Sequence, residues 1–154
     1  MTTPEARLAA SGLELPNPAG AAANYFPYVV VGSALFIAGQ IPFLNGQKIH
    51  IGRLGENLTI EQGQEAAKAC ALNILAQVKS AVNGDWSRVV RCVKLGGFVN
   101  ATPDFDQHPA VINGASDTIV TALGDVGRHA RFAVGASNLP FGVAVEVDAI
   151  FEIK

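Results

Sequence analysis

The strongest pattern along the 154-residue chain is an apolar stripe at helical spacing. Ala67, Cys70, Ala71, Ile74, Leu75, Val78 and Val82 recur every three or four positions, while Glu61, Gln64, Glu65, Lys68 and Lys79 lie mainly elsewhere. Thr59 with Gln62 three residues on makes a capping box and Asn83-Gly84 a stop, so the pattern predicts a core-facing helix over 60–82. A second helix is predicted over 109–123, closed by Gly124, with Val111, Ile112, Ala115, Ile119 and Ala122 as its buried side. A short one over 4–11 has Thr3 as cap, Pro4 at its first position and Gly12 as stop. Residues 15–23, rich in Pro, Gly and Ala, read as extended coil. Elsewhere the period changes to that of strands. Runs over 28–32 and 34–41 are joined by a Gly32-Ser33 hairpin signal, and a short strand over 48–51 follows the turn Asn45-Gly46-Gln47. A longer strand over 88–101 carries Gly96-Gly97, which predicts a bulge or a close backbone approach. Two last strands, over 131–137 and 141–152, are expected to pair as a hairpin through Asn138-Leu139-Pro140.

This order predicts one α+β domain over 1–154, a sandwich with two main helices on one face of a mostly antiparallel sheet. The last strand suggests what lies on the other face. Val143, Val145, Val147, Ala149, Phe151 and Ile153 point to the helix-covered core, whereas Ala144, Glu146, Asp148, Ile150 and Glu152 point away. A face mixing acids with apolar residues suits a subunit interface better than open solvent. Composition points the same way: only 16% of residues are charged, against roughly 25% in ordinary soluble domains.

Membrane burial would need an uninterrupted apolar run of about 18 residues, and the longest, over 28–38, is broken by Gly32 and Ser33. A basic segment followed by an apolar one is missing at the N-terminus, so no secretion signal is expected. Cys70 and Cys92 lie in apolar surroundings and are expected to be free thiols in a reducing, cytoplasmic setting. Neither CxxC nor HExxH spacing occurs, and His50, His108 and His129 lie far apart, which argues for surface or turn histidines and against a metal site. Phosphate-loop and nucleophile-elbow motifs are missing. Arg88, Arg91 and Lys94 form the one basic cluster; strand spacing sends Arg88 and Lys94 to one face and Arg91 to the other. With a net charge of −2, that reads as a solvated edge rather than a nucleic-acid track.

Four motifs in order carry a resemblance. Asn24-Tyr25, Gly39-Gln40-Ile41-Pro42, Val111-Ile112-Asn113 and the stretch from Arg131 through Leu139-Pro140 to Val145-Glu146-Val147-Asp148-Ala149-Ile150 resemble the YjgF/RidA family, the reactive intermediate deaminases. The resemblance runs from about residue 20 to the end, leaving an N-terminal extension before it. It implies a chorismate-mutase-like fold and a homotrimer whose sheets form a central barrel, with sites in the clefts between subunits. The implied reaction is hydrolysis of enamines or imines such as 2-aminoacrylate to 2-keto acids and ammonia, with no cofactor.

On this resemblance Arg131 would grip the substrate carboxylate with a bidentate fork, and Glu146 would position or activate the hydrolytic water. Tyr25 and Asn113 would flank the ligand, and the backbone at Gly39 and Ala133 would line the pocket. Each role has a plainer rival: a structural ion pair for Arg131, an interface salt bridge for Glu146, a packed aromatic for Tyr25 and a helix cap for Asn113. The chain also departs from the family pattern. Ala38 stands where many deaminases have Ser and Ala133 where many have Cys, and the connections over 43–59 and 103–109 are longer. This marks a divergent subgroup, of the kind often labelled endoribonuclease L-PSP. The rival to deamination is a non-catalytic trimer that binds a small carboxylate; RNA cleavage and chorismate mutase chemistry have less in the sequence to support them.

Overall fold

The computed structural model describes residues 2–21 and 23–154. Its long helix, α2 (Ile60–Ala81), starts on the expected capping box, with Gln62 N–H donating to Thr59 Oγ1 at 3.1 Å and Thr59 N–H to Gln62 Oε1 at 2.9 Å. α3 (His108–Leu123) ends at Gly124, whose φ of 68° needs a residue without a side chain. The short α1 (Pro4–Ala10) is capped by Thr3 and puts Leu8 into the core. Seven strands follow the chain: β1 (Tyr28–Val31), β2 (Ala34–Gln40), β3 (Phe43–Leu44), β4 (Gln47–Lys48), β5 (Val89–Asn100), β6 (Ala130–Ala136) and β7 (Val145–Ile153). Five form one sheet in the order β1-β2-β7-β5-β6, antiparallel except for β5 and β6; β3 and β4 make a separate hairpin.

The expected hairpin of the last two strands does not form. β6 pairs in parallel with β5 at the edge, and β7 inserts between β2 and β5. Parallel pairing needs a crossover, and α3 supplies it by carrying the chain over the sheet between β5 and β6. β7 takes the centre because its alternation is the cleanest: every odd position from Val145 to Ile153 is buried. Phe141 and Gly142, at φ of 60° and 70°, turn the chain out of β6 toward that slot.

Other local expectations shift for equally specific reasons. The short strand after the Asn45-Gly46 turn is Gln47–Lys48, not 48–51; His50 at φ 54° breaks the ladder, and Ile51 makes a lone bridge to Val143. Gly96 and Gly97 mark a close approach rather than a bulge. A Cβ on Gly97 would lie 2.7 Å from Ile112 of α3, and one on Gly96 would run into the Asp148 and Phe132 side chains. The register slips come earlier in β5, between Val89 and Arg91 and between Cys92 and Lys94. They put Arg91 opposite Glu152 and Lys94 opposite Ile150, on one face together, while Arg88 sits in a 3-10 turn and donates to the Lys154 carbonyl. Ala144 is fully buried ahead of β7 rather than on the outward face.

α2 and α3 cover one face of the sheet, where Leu35, Leu95, Val147 and Phe151 join Ile74, Leu75, Ile112 and Ile119 in the core. The other face has no helix. Val29 and Val31 stand opposite Phe36 and Ala34, which in turn face Ile150 and Glu152. Val29, Val31, Phe36 and Val134 are exposed on that bare face, beside Glu146, Asp148, Arg91 and Lys94. Among the described residues no helix is long and apolar enough to cross a membrane.

Candidate functional site

A cleft of about 620 Å³ opens where β2 loses register with β7. The slip between Ile37 and Gln40 lifts Gly39 off the ladder, and the Glu146 carboxylate lies against it: a Cβ on Gly39 would come within 2.5 Å of Glu146 Oε1. A side chain at position 39 would have to displace that carboxylate. Ala38, Gly39 and Glu146 line the cleft at the sheet, while Ala19, Ala21 and Tyr25 wall it from the N-terminal segment. Phe43 and Lys48 of the β3–β4 hairpin and the exposed Phe141 complete the rim.

Two amides on α2 hold these walls in place. Asn73 Nδ2 donates to the carbonyls of Ile41 and Phe43 at 3.1 and 2.9 Å, and Gln77 Nε2 donates to the Ala19 carbonyl at 2.7 Å. Both amides are buried and lie four residues apart, hence on one face of the helix. Their one sequence signal is the spacing: two amides at i, i+4 beside an apolar stripe are a sign of polar work in a core.

Burial pushes the half-buried Glu146 carboxyl above its ordinary value, and the like charge of Asp148 two residues on pushes it further. Asp148 is raised as well, by burial, with the Gly96 backbone hydrogen bond and Lys94 pulling back. A carboxylate in that condition can accept a proton from a nearby water at neutral pH. Cys70, beneath the strand, is a free and fully buried thiol whose ionisation is pushed up by burial first and by Glu146 second.

Arg131 lies elsewhere. It stands opposite Leu95 on β6 and turns toward α3, donating from Nη1 to Ser116 Oγ at 3.0 Å and from Nη2 to the Pro109 carbonyl at 3.1 Å. No carboxylate among the described residues pairs with it, so the ion-pair rival does not apply. Ser116 Oγ is also 2.9 Å from His129 Nε2, and His129 Nδ1 is 2.6 Å from the Gly127 carbonyl. A carbonyl only accepts, which makes Nδ1 the donor. In the neutral ring Nε2 then accepts from the Ser116 hydroxyl, whose oxygen accepts from Arg131. Ser116 and His129 thus fix the guanidinium; no sequence signal joins them, because the α3 crossover creates the contact.

Asn113 is exposed on α3 and does not cap it, since the cap position is Gln107. Ala133 stands opposite Gly97 and packs partly buried against the core on the helix side. Of the six residues singled out in the sequence, Tyr25, Gly39 and Glu146 therefore share the cleft; Arg131, Asn113 and Ala133 do not. Glu146 sits outward, opposite Phe98, whereas Arg131 and Ala133 face the helix side of the edge strand two places away. No group of three or more His, Cys, Asp or Glu among the described residues is placed to hold a metal ion.

Residues 5–152 match the family model described as "YjgF/chorismate mutase-like, putative endoribonuclease". Protein TCP17 of Trypanosoma cruzi is 48% identical over 150 residues, spanning 97% of this chain and 93% of that protein. The crystal structure of Atu1372 from Agrobacterium tumefaciens, a protein of unknown function, superposes with a TM-score of 0.93 at 47% identity, covering 98% of this chain and 92% of that one. RidA from an Antarctic Psychrobacter superposes with a TM-score of 0.58 at 28% identity, over 89% and 94% of the two chains. The match over residues 5–152 and the 48% identity to TCP17 over most of both chains show that the chain belongs to the YjgF/chorismate-mutase-like family.

Proposed function

We propose that the protein hydrolyses reactive enamine or imine intermediates of the 2-aminoacrylate type to 2-keto acids and ammonia, in clefts between the subunits of a homotrimer. The observation that carries this reading is the division of the site: the base and its glycine line one cleft, while the anion-binding Arg131 sits on the free edge strand, facing away. A second copy bringing its β6 edge to the cleft mouth would join Arg131, Asn113 and Ala133 to Tyr25, Gly39 and Glu146. The bare sheet face, with its exposed Val31, Phe36 and Val134, supplies apolar surface for packing sheet against sheet around a central barrel.

Two of the five N–H donors of Arg131 are used on Ser116 and Pro109, and the others remain for a carboxylate. With the carboxylate held, a water beside Glu146 attacks the imine carbon as Glu146 takes its proton. That proton passes to the nitrogen to give the carbinolamine; the hydroxyl proton then follows it through Glu146 to the nitrogen as the C–N bond breaks, ammonia leaves and the carbonyl of the keto acid forms. The balance needs only water and no cofactor. Buried free thiols at Cys70 and Cys92 suit a cytoplasmic, reducing setting.

The rival is a trimer that binds a small carboxylate without turning it over, and Ala38 at the cleft favours it, since no hydroxyl stands there to share the proton transfers. A coupled assay that generates 2-iminobutanoate separates the two. Wild type is expected to release keto acid faster than buffer, and Glu146→Gln to lose about 10²–10⁴-fold, the usual contribution of a general base. Arg131→Ala is expected to lose on the order of 100-fold in kcat/KM, since hydrogen bonds to charge contribute about 1.5–3 kcal/mol. Release at the buffer rate leaves the binding reading; full activity in Arg131→Ala refutes the site.

A further inference from the structure

We propose that the cleft selects a ligand with two anionic ends, a 2-imino or 2-oxo dicarboxylate with a methylene spacer, and that Lys48 is the residue that reads the distal end. The proposal deepens the function above and relies on it for the reacting end, where Arg131 of a second copy would hold the first carboxylate. The part played by Lys48 stands on this chain's own geometry.

Lys48 closes the β3–β4 hairpin at the rim of the cleft, and its ammonium lies 4.6 Å from the centroid of the Phe141 ring. That contact positions the charge without consuming its N–H donors. Among the described residues no carboxylate pairs with it; the ion pairs join His50 to Glu65, Lys79 to Glu5 and Arg128 to Asp125. Glu146 shares the cleft but does not neutralise Lys48: its carboxyl is governed by burial and Asp148, both raising it, where a close ammonium would lower it. The cleft therefore has a carboxylate at the reacting end and an unneutralised cation at the rim.

Phe141 belongs to the rim of the cleft and not to the core. It is 64% exposed and holds φ at +60°, a backbone region that bulky side chains seldom occupy unless the surroundings impose it. Apart from Glu146 and Lys48 no charged residue lines the cleft, whose walls include Ala19, Ala21, Ile41 and Phe43 beside the amides Gln40 and Asn73. Methylenes are welcome against such walls and a charge in mid-chain is not.

Stable keto acids test the idea by calorimetric titration of the full chain. 2-Oxoadipate and 2-oxohexanoate have the same chain length and differ in the distal carboxylate; 2-oxobutanoate reports the reacting end alone. Wild type is expected to bind 2-oxoadipate about 10-fold more tightly than 2-oxohexanoate, the factor of one charge-assisted hydrogen bond. Lys48→Met is expected to abolish that factor while holding 2-oxohexanoate affinity within about twofold, and Lys48→Arg to keep the preference. Equal binding of the two six-carbon acids by wild type, or an undiminished preference in Lys48→Met, overturns the proposal and leaves the deaminase reading intact. A Lys48-dependent preference in a protein that hydrolyses no imine supports the proposal and removes the deaminase reading. Failure of all three acids to bind overturns the proposal and leaves the deaminase reading to the coupled assay.

Discussion

The two faces of the sheet are built from the same strands with the same alternation, and they differ in what covers them. On the helix side Leu35, Leu95, Val147 and Phe151 are buried to the last few per cent by α2 and α3. On the bare side Val31, Phe36 and Val134 remain 63%, 43% and 43% exposed, and Glu146, Asp148 and Glu152 all lie there. The sheet keeps its own carboxylates off the face that one chain can close and puts them on the face that it cannot. The core makes the fold, and the bare face is where chemistry and association remain open.

The largest effect that tests this contrast is on the covered side. Leu75→Ala empties a fully buried position beneath the sheet and is expected to lower unfolding free energy by about 2–5 kcal/mol in denaturant titration. A cut of similar size on the bare side should act otherwise. Phe36→Ser is expected to cost the isolated protomer about 1–2 kcal/mol, because the residue is already 43% exposed there. On the trimer reading the same change lowers the mass found by light scattering from three copies toward one, and imine hydrolysis falls with it. A Phe36→Ser protein that keeps both its mass and its rate would sever the bare face from assembly.

The two faces also divide what sequence reasoning reached. Helix boundaries were legible because capping and periodicity act over a few residues: Thr59 with Gln62 and Gly124 mark α2 and α3 almost to the residue. Strand faces were legible only where no slip intervenes. β7 reads cleanly from Val145 onward, while the two irregularities in β5 put Arg91 and Lys94 on one face against the expectation from spacing. The pairing of β6 was misread because a short connection favours a hairpin locally, whereas the α3 crossover decides the matter at long range. Tyr25, Gly39 and Glu146 line one cleft. The Asn73 and Gln77 tethers, the Ser116–His129 support of Arg131 and the Lys48–Phe141 contact belong to side chains that meet only once the elements cross, so no single stretch of sequence carries them.

The smallest effect concerns the carboxylates of the bare face. Glu146 is raised first by burial and then by Asp148. A raised carboxyl means that the folded chain holds its proton more tightly than the unfolded one. Its contribution to stability is therefore complete below the unfolded value and is lost as pH rises through the folded value. Catalysis runs the opposite way, because a base must be ionised, so kcat/KM should climb with pH across that same window. Asp148→Asn removes the like charge and leaves the burial. The acid limb of kcat/KM is then expected to move to lower pH while staying above the ordinary glutamate range, and the loss of thermal midpoint with rising pH should become shallower. Glu5→Gln, on the helix side where Glu5 pairs with Lys79 at 3.0 Å, is the control and should leave the acid limb in place. An acid limb that ignores Asp148→Asn, or that moves equally with Glu5→Gln, would mean that Glu146 is not the group whose ionisation the rate reports.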